Sequence, residues 1–359
     1  MGRTRMARQT DIQLLFRCLV GRWLSSRRRR GRTMITTRKY EEDGGNIMKS
    51  LGRTFRLRAL ATASPFLAIL VALTCLGLSS GVANAQTTDT PGKTDTPETE
   101  FEDFDRNNFD RSTVIDNPWF PLKPGTRFVH RGSTTEAGKR FPHRLVTIVT
   151  DLTKVIDGVR TVVVWIEDYK AGKIDEAELA FFAQDKDGNV WSLGEYPEEY
   201  FKGRLMKAPT WIHGLKDSRA GIAMYAAPRL GTPSYSQGWA PSVNWTDRAA
   251  VDQMGEKTCV PLRCYEDVLV IAETSKAEPD AQQLKYYARG VGKVRVGWRG
   301  QGEKLQEVLE LTELSQLGPE ALAIAREAAL KLERSAYNVS KEVYGETSPA
   351  EHMTSARGR

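Results

Sequence analysis

From residue 127 to residue 313 the chain alternates β-prone runs with tight-turn signals. Residues 127–132 make a short first run, and residues 143–156 are rich in Val, Ile, Leu and Thr. Asp157-Gly158 interrupts that second run, and residues 159–169 resume it. Two β-prone runs around Asp-Gly are the strongest short-range hairpin signal. Ala171-Gly172 marks the next reversal, ahead of residues 174–184; Asp185-Lys186-Asp187-Gly188 then turns into 189–193. Further runs at 265–274, 282–289, 293–298 and 303–313 complete the pattern, with Gly290-Val291-Gly292 making another hairpin. Consecutive strands joined by tight turns predict an antiparallel sheet. Val162-Val163-Val164-Trp165-Ile166 is apolar at every position, so this strand is expected to be covered on both faces.

Two segments break the period of two. Residues 195–250 are loose and aromatic, with Trp211, His213, Tyr225, Tyr235, Trp239 and Trp245 among Gly and Pro. Long irregular stretches within compact domains are uncommon and often functional. These six residues are the candidate ligand-lining set; the alternative is a lid that completes the core. After Gly318-Pro319 the pattern turns helical, with Leu322, Ala325, Ala329 and Leu332 on one face. A helix over 318–337 is expected to cover a sheet face, with a flexible tail over 338–359.

The amino-terminal part changes the meaning of the composition. Residues 65–78 form an apolar run after Lys49, Arg53, Arg56 and Arg58, and Ala83-Asn84-Ala85 follows. A basic region, a short apolar core and an A-x-A site predict a secretory signal peptide over 48–85, cut between Ala85 and Gln86. A spanning helix needs about 20 apolar residues, so a cleaved signal is favoured over a permanent anchor. Ala72-Leu73-Thr74 before Cys75 fits a lipobox poorly, and Arg27 to Arg30 lie far upstream of the apolar core for twin-arginine export. Residues 1–47 read as a start-site extension, with Met48 the expected start. The formal charge of +7 belongs to the leader: the remainder holds 36 Lys/Arg against 41 Asp/Glu. A nucleic-acid partner therefore gains no support from charge. Residues 86–112 read as an acidic Thr/Pro linker whose Phe101, Phe104 and Phe109 could dock on the β domain of 113–313.

Candidate chemistry is sparse. Cys259 and Cys264 are the two cysteines left after cleavage, and in an oxidising compartment a pair this close is expected to form a disulfide. Asp185 to Asn189 hints at a calcium loop, but Val190 and Tyr196 stand where an EF-hand needs Gly and Glu; a hairpin turn needs the same residues. None of the four histidines, His130, His143, His213 and His352, is at metal-ligand spacing to another. No nucleophile elbow, P-loop, HExxH or dinucleotide fingerprint occurs. The sequence thus assigns no catalytic residue, metal or cofactor.

Several phrases together carry a resemblance. They are Asn117-Pro118-Trp119-Phe120-Pro121-Leu122, Ala183-Gln184-Asp185 with Gly188-Asn189-Val190-Trp191, Ala220-Gly221-Ile222, and Tyr286-Tyr287-Ala288-Arg289-Gly290-Val291-Gly292. Over about residues 113–312 the chain resembles a family of secreted bacterial proteins to which no activity attaches. The family's strand pattern is similar to that of envelope lipoprotein carriers. The resemblance implies a mainly β fold: one strongly curved, half-barrel-like antiparallel sheet with the carboxy-terminal helix packed on it. The resemblance carries no activity; the aromatic concentration between Trp211 and Trp245 motivates the leading expectation, a non-catalytic envelope protein binding an apolar small molecule or lipid. A structural or partner-binding envelope protein and an envelope hydrolase built on His213 are the alternatives.

Overall fold

A computed structural model describes residues 100–275 and 278–353. The signal peptide, its cleavage site and the start at Met48 lie outside the described residues.

Five long strands follow one another through tight turns: β1 (Thr126–Glu136), β2 (Lys139–Ile156), β3 (Val159–Lys170), β4 (Lys173–Gln184) and β5 (Val190–Phe201). Shorter pieces come next: β6 (Arg204–Lys207), β7 (Trp211–Ile212), β8 (Arg219–Met224), β9 (Tyr235–Ser236) and β10 (Gly238–Trp239). Long strands resume as β11 (Asp247–Cys259), β12 (Cys264–Ser275), β13 (Glu278–Ala288), β14 (Gly292–Arg299) and β15 (Leu305–Gln316). The helix α1 (Pro319–Val339) and a two-residue strand β16 (Glu351–His352) finish the chain.

All pairings are antiparallel, and the sheet runs β10-β8-β5-β4-β3-β2-β1-β15-β14-β13-β12-β11-β9. Its two edges are consecutive in sequence: Ser236 ends β9, Gly238 begins β10, and Gln237 lies between. The chain itself crosses the seam, so the half-barrel expected from the sequence curls further into a nearly closed barrel. Ten strands of eight or more residues make up most of the wall. Eight strands already leave room inside for side chains or one small ligand.

The register divides the barrel into two ends. The 136–139 and 170–173 turns lie at one end, with the amino terminus of β15. The 156–159, 184–190 and 288–292 turns lie at the other, where β1 starts opposite the end of β15. The proline-rich entry segment plugs this second end. Three prolines within seven residues keep it out of helix and sheet. Asn117, 2% exposed, organises the plug. Its Oδ1 accepts from the backbone N–H groups of Trp119 and Phe120, and its Nδ2 donates to the carbonyls of Gly188 and Tyr225. The Gly290 N–H donates to the Pro118 carbonyl, and the Arg289 guanidinium lies over the Trp119 ring.

The helix packs on the outside of β2 and β4. Ala325, Ala329, Leu332, Glu333 and Ala336 are its buried residues. Trp165, Val129, Val146 and Ile148 meet Ala325 on this outer face, whereas Val164 and Ile166 point into the lumen. The all-apolar Val162–Ile166 run is therefore covered on both sides. Beyond the helix the chain stays docked: Tyr344 is fully buried and β16 pairs with β2. Phe104 packs against Trp191 and His213, and Phe101 against Trp239.

Candidate functional site in the barrel lumen

The lumen is not filled. A cavity of about 380 Å³ lies within it. Phe120 and Leu122 of the plug, with Phe128, Phe182 and Tyr287, make an apolar floor at the plugged end. Leu145, Val164, Ile166 and Ala180 continue the apolar wall. Inward-facing residues of a strand alternate with outward-facing ones, so the lumen lining on β4 is Glu176, Glu178, Ala180 and Phe182 in a row. This row runs from acid to aromatic toward the plug.

Charge is concentrated on the lining. Five carboxylates (Glu176, Glu178, Glu195, Asp247 and Glu273) face two lysines, Lys285 and Lys293. Glu273 is taken: Lys285 pairs with it, and Gln237 Nε2 donates to its Oε1 at 2.9 Å. Burial, reinforced by Asp168 and Glu195, pushes Glu176 up to about 8. Burial and the repulsion of Glu195 and Glu176 raise Glu178 well above the carboxylate range. Burial lifts Glu195 to about 7 and Asp247 to about 6. Lys293 falls to about 8 through burial and the nearby Lys285. His130, 1% exposed, is held down to about 4 by burial, so it is neutral. Its Nε2 sits 2.9 Å from the Lys293 carbonyl and must be the donor, which makes Nδ1 the acceptor. That Nδ1 is buried without a partner.

Two residues along β2 from Leu145, His143 stands between two carboxylates. Its Nε2 is 2.5 Å from Asp168 Oδ1, and its Nδ1 lies 3.0 Å from Glu307 Oε1 but out of line for a good hydrogen bond. Burial disfavours charge on the ring, yet Asp168 and Glu307 outweigh it and raise the pKa to about 10. Among the described residues this trio is also the group that could hold a metal ion, its ligand atoms all within 4.8 Å of one another. Each ring nitrogen already faces a carboxylate, so an ion would have to displace a proton and draw Glu307 to the other side of the ring.

The trio makes a pH prediction. The folded pKa of His143 lies above its unfolded value of about 6.5. Its stabilisation is therefore complete below about pH 6.5 and is lost as pH rises through about 10. Urea unfolding is expected to show about 4 kcal/mol less stability at pH 10 than at pH 6.5 from this group. His143→Gln should remove that difference. An unchanged pH slope in the variant would show that the imidazolium is not clamped.

The aromatic candidates distribute unevenly around the lumen. Trp245 lines it, and Trp211 stacks on Trp245 from behind at 4.7 Å between ring centroids. Tyr225 and Tyr235 pack edge to face on each other. Trp239 lies against Phe101 and Arg219 at a surface dimple with Ser218 and Asp217. His213 Nδ1 accepts from the Ala220 N–H, and its Nε2 is 3.6 Å from Asp157. With Nδ1 so engaged, the ring has no free acceptor to activate a nucleophile. Sequence reasoning missed the acidic lining itself. Alternation puts Glu176 and Glu178 on one face of their run but does not say which face is inside a barrel.

Cys259 and Cys264 are bonded to each other across the β11–β12 turn. Such bonds persist in oxidising compartments, and the chain is extracytoplasmic. The Asp185 loop is a hairpin turn: its carboxylate accepts from the Asn189 N–H and from Trp191 Nε1.

No protein family and no curated protein matches the sequence. Two solved structures overlap the fold. One is a Bacteroides fragilis protein described as exported, with a YmcC-like fold; identity is 16%, the TM-score 0.30, and the match covers 55% of this chain and 98% of that one. The other is a protein from Parabacteroides distasonis described as a lipoprotein, at 15% identity and a TM-score of 0.27, covering 57% and 100% of the two chains. Likeness at this level says nothing of ligand or activity.

Proposed function

We propose that the barrel is a non-catalytic extracytoplasmic binding protein that encloses a small molecule, with the apolar part of that molecule on the floor of the lumen. The observation that carries this reading is the unfilled cavity of about 380 Å³, plugged at one end and lined there by apolar side chains. Ligand sites are concave and mostly apolar, with a few placed polar groups, and cores are otherwise packed to crystal density. A space of this size inside a well-ordered wall is a feature that packing alone would remove.

The test uses the neutral fluorophore N-phenyl-1-naphthylamine. It is expected to bind the purified protein one to one with enhanced, blue-shifted emission. Ala180→Leu and, separately, Ala223→Leu place extra carbons on the cavity wall. Each should weaken binding about tenfold or more while the circular-dichroism spectrum is retained. Absence of enhancement by the wild type, or equal binding by both variants, would overturn the reading.

A further inference from the structure

The lumen is lopsided in charge, and the imbalance points in one direction. With Glu273 matched to Lys285, four lumen carboxylates remain against one lysine. Glu176 and Glu178 lie two residues apart on one strand, at the edge of the apolar wall. Neither has a hydrogen-bond or ion-pair partner among the described residues; what acts on them is burial and the charges of neighbours. Both are half-buried at the lumen wall, and a carboxylate withdrawn from bulk water without a donor in the chain is costly. Donors from water or from a bound molecule offset that cost.

His130 adds an independent observation. It lines the same cavity, and its tautomer is fixed by the Lys293 carbonyl. The nitrogen left over is a buried acceptor with no donor. When ionised, the lumen carboxylates and this nitrogen all call for donors. The one unmatched donor-rich group, Lys293, shares the space with several carboxylates.

Resting on the binding role proposed above, we infer that the lumen selects a cationic amphiphile, a molecule with an apolar body and one or two protonated amines held by Glu176 and Glu178. The ammonium supplies three donors and a positive charge to acceptors that the chain leaves bare. The apolar body lies along Val164, Ile166 and Phe182 toward the plug. An anionic amphiphile such as a fatty acid would place a second negative charge beside the acid pair, and repulsion would reject it.

Calorimetric titration at pH 9, above the value of about 8 to which Glu176 is raised, with decylamine, decanol and decanoate separates these outcomes. The three probes share one chain and differ in head charge. Decylamine is expected to bind about tenfold or more tightly than decanol, with decanoate weakest. Glu176→Gln/Glu178→Gln should cost decylamine that advantage, so that the amine binds no more tightly than decanol does to the same variant. Either carboxylate replaced alone should fall between. Equal or tighter binding of decanol or decanoate by the wild type would overturn the inference while leaving the binding role standing. So would a double variant that still prefers the amine. Failure of all three probes, together with failure of the naphthylamine fluorophore, would remove both.

Discussion

Replacing Glu333 with alanine is expected to destabilise the protein by about 3–5 kcal/mol, the cost of breaking a buried ion pair by removing one partner. The pair lies between α1 and the outer face of the barrel. Lys154 has a fully buried side chain, and its Nζ donates to Glu333 Oε1 at 2.9 Å, to the Ser348 carbonyl at 2.6 Å and to the Tyr337 hydroxyl at 3.2 Å. The same Glu333 oxygen accepts from the Tyr344 hydroxyl at 3.2 Å and from the Ala350 N–H at 2.9 Å. One carboxylate thus holds a strand, a helix and the segment after the helix. Burial lowers the Lys154 pKa, and Glu333 opposes the fall. Without Glu333 the ammonium loses its counter-charge in a place water does not reach. Urea unfolding monitored by circular dichroism would measure the loss, and hydrogen exchange at the Met353 amide, which donates to the Asp151 carbonyl, would report undocking of the last segment. The double variant Lys154→Met/Glu333→Leu removes both charges and keeps the apolar packing. It should recover part of the loss, because no charge is then left unpaired, while the Ala350 N–H and the Tyr344 hydroxyl stay without their acceptor. A cost below about 1 kcal/mol for Glu333→Ala would show that the helix is held by its apolar stripe instead.

This ion pair also marks where sequence reading runs out. The helix was legible because Gly318-Pro319 and the Leu322, Ala325, Ala329, Leu332 stripe obey local rules that need no partner. The role of Glu333 was not, since it turns on Lys154, whose place in a β-prone run suggests solvent. The hairpins were legible for the same local reason: Asp157-Gly158 and Ala171-Gly172 all have positive φ in the turns they were expected to make. The strand β11 was missed. Its sequence, D-R-A-A-V-D-Q-M-G-E-K-T-C, is largely polar, with three register shifts against β12 that blur any period of two. Residues far apart in the sequence meet at the plug. Asn117, Gln184, Gly188 and Gly290 come together at one end of the barrel, where Gln184 Oε1 accepts from the Asn117 N–H. They build the plug that makes the lumen a dead end. The chemistry inside the lumen was the least legible part, because closure of the sheet decides which carboxylates face inward, and closure is a long-range fact.

Closure itself depends on one position with no side chain, and Gly221→Ala is expected to destabilise the protein by about 3 kcal/mol, the upper range for forcing extra atoms into packed space. Gly221 lies in β8, paired with Ser192 of β5, close against the chain that crosses the seam. A β-carbon there would stand 2.3 Å from the Gln237 carbonyl carbon and 2.3 Å from the Gly238 nitrogen. Both are backbone atoms, tied on one side to β10 and on the other to β9, so neither can swing away as a side-chain tip could. The φ of Gly221 is not in the left-handed region; the restriction is space, not torsion. Moving the crossing segment would also displace Gln237, which lines the lumen and donates to Glu273. The variant is therefore expected to lose urea stability and to bind the naphthylamine fluorophore more weakly, with faster hydrogen exchange at Gln237, whose N–H donates to the Asp247 carbonyl. Gly297→Ala is the matched control. It lies in β14, where a β-carbon would meet the Tyr286 ring at an ordinary 3.7 Å, and it should change stability by less than about 1 kcal/mol. If the two substitutions behaved alike, the seam would not be held by close approach of backbone to backbone, and the wall beside Gln237 would be an open edge.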